Sequence, residues 1–138
     1  MSAVEPGSVG EQIENAALAA VGARFRLHGR EPATGFDCVG LVAWALRAGG
    51  CEAEAPTGYA LRGGDAATVI AILDRVLARA AGEQAGDVLL MRTGPGQLHL
   101  GIRVADGLVH ADAGLRRVVL RPGTVSWPVL GAWRVGEG

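Results

Sequence analysis

Cys38 is the residue of this chain that is best placed to act as a nucleophile. It follows Asp37 at the point where a loop ends and a helical pattern of apolar residues begins. Asp37 is a typical helix N-cap, because its carboxylate can accept a hydrogen bond from a free N–H of the first turn. A helix N-terminus carries partial positive charge, which favours a thiolate and lowers the pKa of a thiol. This stretch alone leaves two interpretations open, a nucleophile or a cysteine that fills space in the core.

Two histidines are predicted to lie on one β-hairpin. His99 is near the start of one predicted strand and His110 is near the end of the next, with an Asp-Gly turn signal between them. If Val104 pairs with Gly107, His110 faces Gly101 and the two imidazoles become diagonal neighbours, about 7–8 Å apart on one face. A register change of one residue would put the two rings on opposite faces of the sheet.

These three side chains have the types that a thiol hydrolase requires. A thiol that attacks an amide needs a base to take its proton, and the base needs a polar group to orient it. N–H donors must also stabilise the charge that develops on the carbonyl oxygen. Cys38 can be the nucleophile of such a site, His99 its base and His110 the orienting residue, with the backbone N–H of Cys38 as one oxyanion donor.

The apolar periodicity predicts helices first and strands afterwards. The helices are expected at Val9–Val21, from Cys38 to Gly49 and from Asp65 to Gly82, and the segment Gly22–Gly35 is expected to be a loop. The strands are expected at Asp87–Arg92, Leu98–Val104, Leu108–Asp112, Arg116–Arg121 and Leu130–Val135. This order predicts an α+β fold in which N-terminal helices pack on a five-stranded antiparallel sheet. Residues 1–8 are expected to be flexible, and residues 9–138 to form a single domain.

Composition excludes several classes of partner. The formal net charge of −1 and the pI of about 6.3 give no indication of a nucleic-acid groove or a polybasic membrane patch. No run of apolar residues is long enough to predict a membrane span. Cys38 and Cys51 would be separated by most of a helix, roughly 15 Å, so we expect two free thiols.

Four segments carry a resemblance to a known family. Gly35–Val42, Gly86–Leu90, His99–Ile102 and Val109–Ala111 occur in the order and at the spacing seen in the NlpC-type bacterial cell-wall peptidases. The chain resembles these papain-like cysteine hydrolases, which cut peptidoglycan stem peptides. The resemblance implies the papain-like NlpC-type fold and hydrolysis of an amide bond, usually between γ-D-glutamate and a diamino acid. It also implies the catalytic roles given above to Cys38, His99 and His110, with a stem peptide as partner and neither cofactor nor metal.

The same resemblance indicates where substrate would bind, and where this chain departs from the family. Asp37, Val39, Phe25 and Tyr59 are predicted to line the substrate site, with ordinary surface as the alternative for Tyr59. Val39 stands where the family commonly has Ser, and Phe25 where it often has Tyr, so the choice of substrate is open. His28 replaces a usual Gly and is expected to be a solvated loop residue, with a role at the rim of the site as the alternative.

Several alternatives to a wall peptidase remain at this stage. The chain could be an inactive or weakly active binding or structural module of a phage tail-like particle, or a thiol amidase or acyltransferase acting on another acyl substrate. A zinc site made by Cys38, His99, His110 and Asp112 has suitable ligand types but no short paired spacing. The N-terminus lacks the basic start and apolar run of a secretory signal, so we expect a protein that is cytoplasmic as synthesised. It would reach the cell wall if a particle or lysis delivered it, and proteins of a tail-like particle are then further candidate partners.

Overall fold

The computed structural model describes residues 8–51 and 65–136. Within these residues the helices are α1 (Val9–Ala20), α2 (Cys38–Ala48) and α3 (Ala66–Val76). The strands are β1 (Arg30–Glu31), β2 (Gly35–Phe36), β3 (Ala78–Arg79), β4 (Val88–Gly94), β5 (Gln97–Val104), β6 (Gly107–Asp112), β7 (Arg117–Pro122) and β8 (Val129–Arg134). None of the helices in the described residues has the length and apolarity that a membrane span requires.

The main sheet has six strands in the order β3-β8-β4-β5-β6-β7, and every neighbouring pair is antiparallel. The five predicted strands are confirmed as β4 to β8, and the α+β class is confirmed with them. The predicted count of five is wrong by the edge strand β3. The loop prediction for Gly22–Gly35 is also incomplete, because β1 and β2 form a small antiparallel pair there. Strands of two residues are too short to show a period in the sequence.

Helix α3 ends earlier than predicted, at Val76 instead of near Gly82. The next residue, Leu77, is extended and buried, and Ala78–Arg79 then pairs with β8. The Arg79 side chain donates to Asp74 at 2.7 Å and lies over the Trp133 ring, 5.2 Å from its centre. These tertiary contacts favour the strand over a further helical turn.

The two faces of the sheet carry two apolar clusters. The larger cluster joins the helices to one face of the sheet. The smaller cluster on the other face contains Leu89, Met91, Leu108 and Ala132, with Val125 and Trp127 packed against it. Since side chains alternate along a strand, His99, which pairs with Met91, and His110, two residues from Leu108, belong to this second face.

Strands β5 and β6 pair over only part of their length. Their pairs run from Ile102 with Val109 to Val104 with Gly107, which is the one of the two possible registers that puts both histidines on one face. In the described residues no further pair follows beyond Ile102, on the side where His99 and His110 lie. The N-terminus of α2 lies beside this open part of the sheet, since Cys38 lines one cleft with His99 and His110. A thiol from the helix layer can therefore share a cleft with histidines of the other face.

Candidate active site

Asp37 fixes the N-terminus of α2 to the preceding loop. One of its carboxylate oxygens accepts from the backbone N–H of Gly40 at 2.8 Å, and the other from the N–H of His28 at 2.8 Å. Arg30 donates a third bond, at 3.0 Å, and the Asp37 residue is only 8% exposed. The predicted N-cap is confirmed, and its carboxylate is satisfied by protein donors.

Gly40 lets the loop approach the helix. A Cβ atom at this position would overlap the carbonyl oxygen of Gly29. His28 itself is exposed, has a positive φ of 64°, and is bound through its backbone N–H to Asp37. Its described role is therefore to shape the loop through its backbone.

Cys38 is the first residue of α2, and its environment differs from the expected one. The pKa of its thiol is raised to about 11, chiefly by burial and to a smaller extent by the Asp37 carboxylate. The backbone N–H groups of Leu100, Val39 and Cys38 lower the pKa but do not outweigh burial. The expectation of a lowered thiol pKa is therefore wrong for the free protein, because the sequence shows the helix end and does not show how the thiol is enclosed. Both Cys38 and Cys51 are free thiols.

His99 and His110 form a direct pair. The Nε2 atom of His99 lies 2.9 Å from Nδ1 of His110, and the two rings are nearly perpendicular, at 88°. The pKa of His99 is lowered to about 4, chiefly by burial and also by His110, while the Asp112 carboxylate opposes this shift. Burial also lowers the pKa of His110. At neutral pH the two imidazoles are therefore both uncharged.

A neutral histidine pair has two possible proton arrangements. If the Nε2–H of His99 donates to Nδ1 of His110, the lone pair of His99 is on Nδ1 and can accept a proton. In the reverse arrangement Nδ1 of His99 carries the proton and cannot act as a base. Base catalysis requires the first arrangement.

The pair and the thiol lie in one cleft of about 660 Å³. Its walls come from the loop before α2, the start of α2, β5, the end of β6 and the β7–β8 loop. They include Phe25, Leu27, Asp37, Cys38, Val39, Leu98, His99, His110, Asp112 and Trp127. The structure thus brings together the three predicted catalytic residues and three of the four predicted substrate residues. Tyr59 lies outside the described residues. No hydrogen bond joins Cys38 to His99 within the part of the chain that the structure describes.

Leu27 and Trp127 are among the lining residues that were not predicted for the site. Leu27 is a large apolar residue that is 48% exposed beside the cleft. Trp127 contacts both histidine rings as well as the smaller apolar cluster. Neither has a local motif, since their positions in the cleft depend on tertiary contacts.

The zinc alternative finds no geometric support. Across residues 8–51 and 65–136, no three His, Cys, Asp or Glu side chains are arranged to hold a metal ion. The 2.9 Å contact between the two imidazoles also uses one nitrogen of each ring.

Solved structures share this architecture at low sequence identity. NlpC1 of Trichomonas vaginalis is 22% identical with a TM-score of 0.71, and the match covers 98% of this chain and 47% of that one. The chain thus spans about half the length of that protein. The peptidoglycan hydrolase RipB of Mycobacterium tuberculosis is 20% identical with a TM-score of 0.62, covering 94% of this chain and 66% of RipB.

A third neighbour has the fold without the activity. RipD of Mycobacterium tuberculosis is a non-catalytic NlpC/p60 domain protein adapted to a peptidoglycan-binding function. It is 18% identical with a TM-score of 0.60, and the match covers 95% of this chain and 100% of RipD. At these identities the likeness establishes the fold alone.

Sequence comparison supplies the family. Curated proteins give no significant match to the chain. The sequence model of the NlpC/P60 family matches residues 22–124, which include the cysteine at the helix start and the histidine pair. The match covers well over half of the chain, and the chain belongs to the NlpC/P60 family.

Proposed function

We propose that the chain hydrolyses an amide bond in peptidoglycan stem peptides, with Cys38 as nucleophile, His99 as base and His110 as the residue that orients His99. The observation that carries the proposal is the His99–His110 contact of 2.9 Å in the same cleft as a thiol at a helix N-terminus. Family membership and a peptidoglycan hydrolase among the structural neighbours support this substrate class. The γ-D-glutamyl bond to a diamino acid is the expected point of cleavage.

The reaction begins from a neutral thiol and a neutral imidazole. Since burial favours the uncharged form of both groups, proton transfer from Cys38 to Nδ1 of His99 accompanies attack on the substrate carbonyl. The backbone N–H groups at the start of α2 then stabilise the oxyanion. His99 returns the proton to the leaving amine, which leaves an acyl thioester on Cys38. Water, deprotonated by His99, hydrolyses the thioester and restores the thiol.

Substrate binding completes this site. A peptide in the cleft displaces water and brings a carbonyl beside the thiol. The proton transfer from Cys38 to His99 then takes place among groups that are already oriented for it. Phe25 and Leu27 line the same cleft as Cys38 and add apolar side chains to its wall. An uncharged portion of the stem peptide is expected to lie against them.

Digestion of purified peptidoglycan tests the proposal. The protein, Cys38→Ala and the matched control Cys51→Ala are incubated with the polymer, and the released peptides are identified by mass spectrometry. We expect new amine termini with the unaltered protein and with Cys51→Ala, and none with Cys38→Ala. The masses of the products identify the bond that is cleaved. Cleavage that survives in Cys38→Ala would refute the assigned nucleophile.

A peptidoglycan-binding module without hydrolysis is the second candidate. The raised thiol pKa favours it, since a protonated thiol is a poor nucleophile. A non-catalytic structural neighbour supports it as well. Co-sedimentation with insoluble peptidoglycan separates the two candidates. Binding that Cys38→Ala retains, together with no released peptide from the unaltered protein, would establish the binding module.

A further inference from the structure

His110 has a buried ring nitrogen without a conventional partner. Its Nδ1 atom contacts His99, and the residue is 1% exposed. Its Nε2 atom is buried and makes no hydrogen bond in the described residues. Buried polar atoms almost always have a partner, so an unpaired nitrogen in a histidine pair calls for a physical account.

The indole of Trp127 lies beside this ring. The centres of the two rings are 5.2 Å apart and their planes are at 85°. Trp127 is also perpendicular to His99, with ring centres 5.9 Å apart and an angle of 83°. Three mutually perpendicular rings thus pack together in the cleft. An aromatic face carries partial negative charge and can accept an N–H directed at it.

Arg121 lies over the Trp127 ring, with its guanidinium carbon 4.6 Å from the ring centre. Arg121 pairs with Leu108 in the sheet, so it is on the same face as His110. This contact holds the indole in place from β7. The positive charge of Arg121 also lowers the pKa of His110, after the larger effect of burial and against the Asp112 carboxylate, which raises it. Both effects of Arg121 favour a neutral His110 beside a fixed indole.

We propose that the π face of Trp127 accepts the Nε2–H of His110 and thereby selects the tautomer of the histidine pair. With the proton on Nε2, the Nδ1 atom of His110 accepts from the Nε2–H of His99. The lone pair of His99 is then on Nδ1, where the base must have it. Trp127 is a positioning residue, because it acts on the base through His110. The contribution of Trp127 to catalysis rests on the proposed hydrolase function, whereas the tautomer of the histidine pair does not depend on that function.

The opposite tautomer is disfavoured by the same geometry. It would leave the buried Nε2 of His110 as an unprotonated lone pair with no donor among the described residues, next to the indole ring. It would also put the proton of His99 on Nδ1. The charged and titratable groups of the cleft and of the strands beside the pair are Asp37, Cys38, Asp112 and Arg121. None of them makes a hydrogen bond to Nε2 of His110 in the described residues.

Imidazole ¹⁵N NMR of the full chain without substrate tests the tautomer. The ¹⁵N shifts distinguish protonated from unprotonated ring nitrogens. We expect His110 and His99 each to carry the proton on Nε2 at neutral pH. A proton on Nδ1 of His110 in the unaltered protein would overturn the inference, and this spectrum needs no variant to fold.

Two substitutions test the part played by the indole. Trp127→Phe keeps a π face and is expected to keep the tautomer. Trp127→Leu keeps an apolar side chain without a π face, and we expect a mixture of tautomers. Stem-peptide hydrolysis by Trp127→Leu should fall at least tenfold in kcat, with KM changed less than twofold. Unchanged ¹⁵N shifts in Trp127→Leu would overturn the proposal. The expected tautomer with no Cys38-dependent hydrolysis would instead overturn the proposed function alone.

Discussion

Replacement of Asp37 should lower the stability of the fold and at the same time raise the reactivity of the Cys38 thiol. Asp37→Ala removes the acceptor for the N–H groups of Gly40 and His28 and for Arg30. Loss of an N-cap costs about 1 kcal/mol, and loss of a partly buried, charge-assisted bond to His28 costs about 1.5 kcal/mol. The Arg30 side chain is 40% exposed, so its ion pair adds at most about 0.5 kcal/mol. We expect Asp37→Ala to lose about 3 kcal/mol in total.

Urea denaturation followed by circular dichroism measures this loss. A fall of about 3 kcal/mol corresponds to roughly 10 °C in the melting temperature for a chain of this size. Asp37→Asn is the matched control, because an asparagine oxygen still caps the helix while the charge is removed. We expect it to lose about 1 kcal/mol. An Asp37→Ala variant that stays within about 0.5 kcal/mol of the unaltered protein would refute the structural role of this carboxylate.

The thiol should respond in the opposite direction. The Asp37 carboxylate raises the pKa of Cys38, so Asp37→Asn is expected to lower that pKa and to speed alkylation at pH 8. The less stable protein would then have the more reactive cysteine. Slower alkylation of Asp37→Asn, measured by intact mass in a Cys51→Ala background, would contradict the electrostatic account of the cleft.

Further predictions concern the thiol, the helix contact and pH. In a Cys51→Ala background, alkylation of Cys38 should rise about tenfold per pH unit from pH 7 to 10, because its pKa is about 11; a plateau below pH 8 would contradict this. Gly40→Ala should lose 3 kcal/mol or more in urea denaturation, since its Cβ would overlap a backbone carbonyl. Gly136→Ala, with open space around the new Cβ, should change little. The pKa of His99 is lowered from 6.5 to about 4, so the folded state binds fewer protons than the unfolded state in this range. His99 therefore contributes up to about 3 kcal/mol of stability above pH 6.5, and this contribution is lost as the pH falls to 4. In His99→Gln the free energy of unfolding should therefore depend less on pH over this range.

Most of the fold could be predicted from local signals in the sequence. The apolar period and the capping residue placed the start of α2 at Cys38, and the Asp-Gly turn placed His99 and His110 on one face through the correct register. Two-residue strands gave no such signal, so β1–β2 and β3 were missed. The apolar residue Leu77 fits a helix or a strand equally well, and the pairing of the next two residues, Ala78 and Arg79, with β8 decided the outcome.

Tertiary proximity accounts for what the sequence could not show. The helix start at Cys38 predicted a lowered thiol pKa, yet burial in the cleft outweighs the N–H donors there. Asp37 was predictable as a cap, whereas its bonds to the loop before α2 depend on how that loop folds back. Trp127 reaches the histidine pair from a distant loop, and Arg121 fixes it from another strand. Side chains that reach the histidine pair from separate elements are not recognisable from the sequence of any one segment.

Trapping of the acyl intermediate tests the central claim most directly. The unaltered protein, Cys51→Ala and Cys38→Ala are mixed with a soluble stem peptide, quenched in acid within milliseconds to seconds, and measured by intact and peptide mass. We predict a thioester adduct on the peptide that contains Cys38, in the unaltered protein and in Cys51→Ala, with free amine product released in step with it. Peptide hydrolysis that proceeds in Cys38→Ala, or tight binding of the peptide with neither adduct nor product in the unaltered protein, would contradict a cysteine hydrolase built on Cys38.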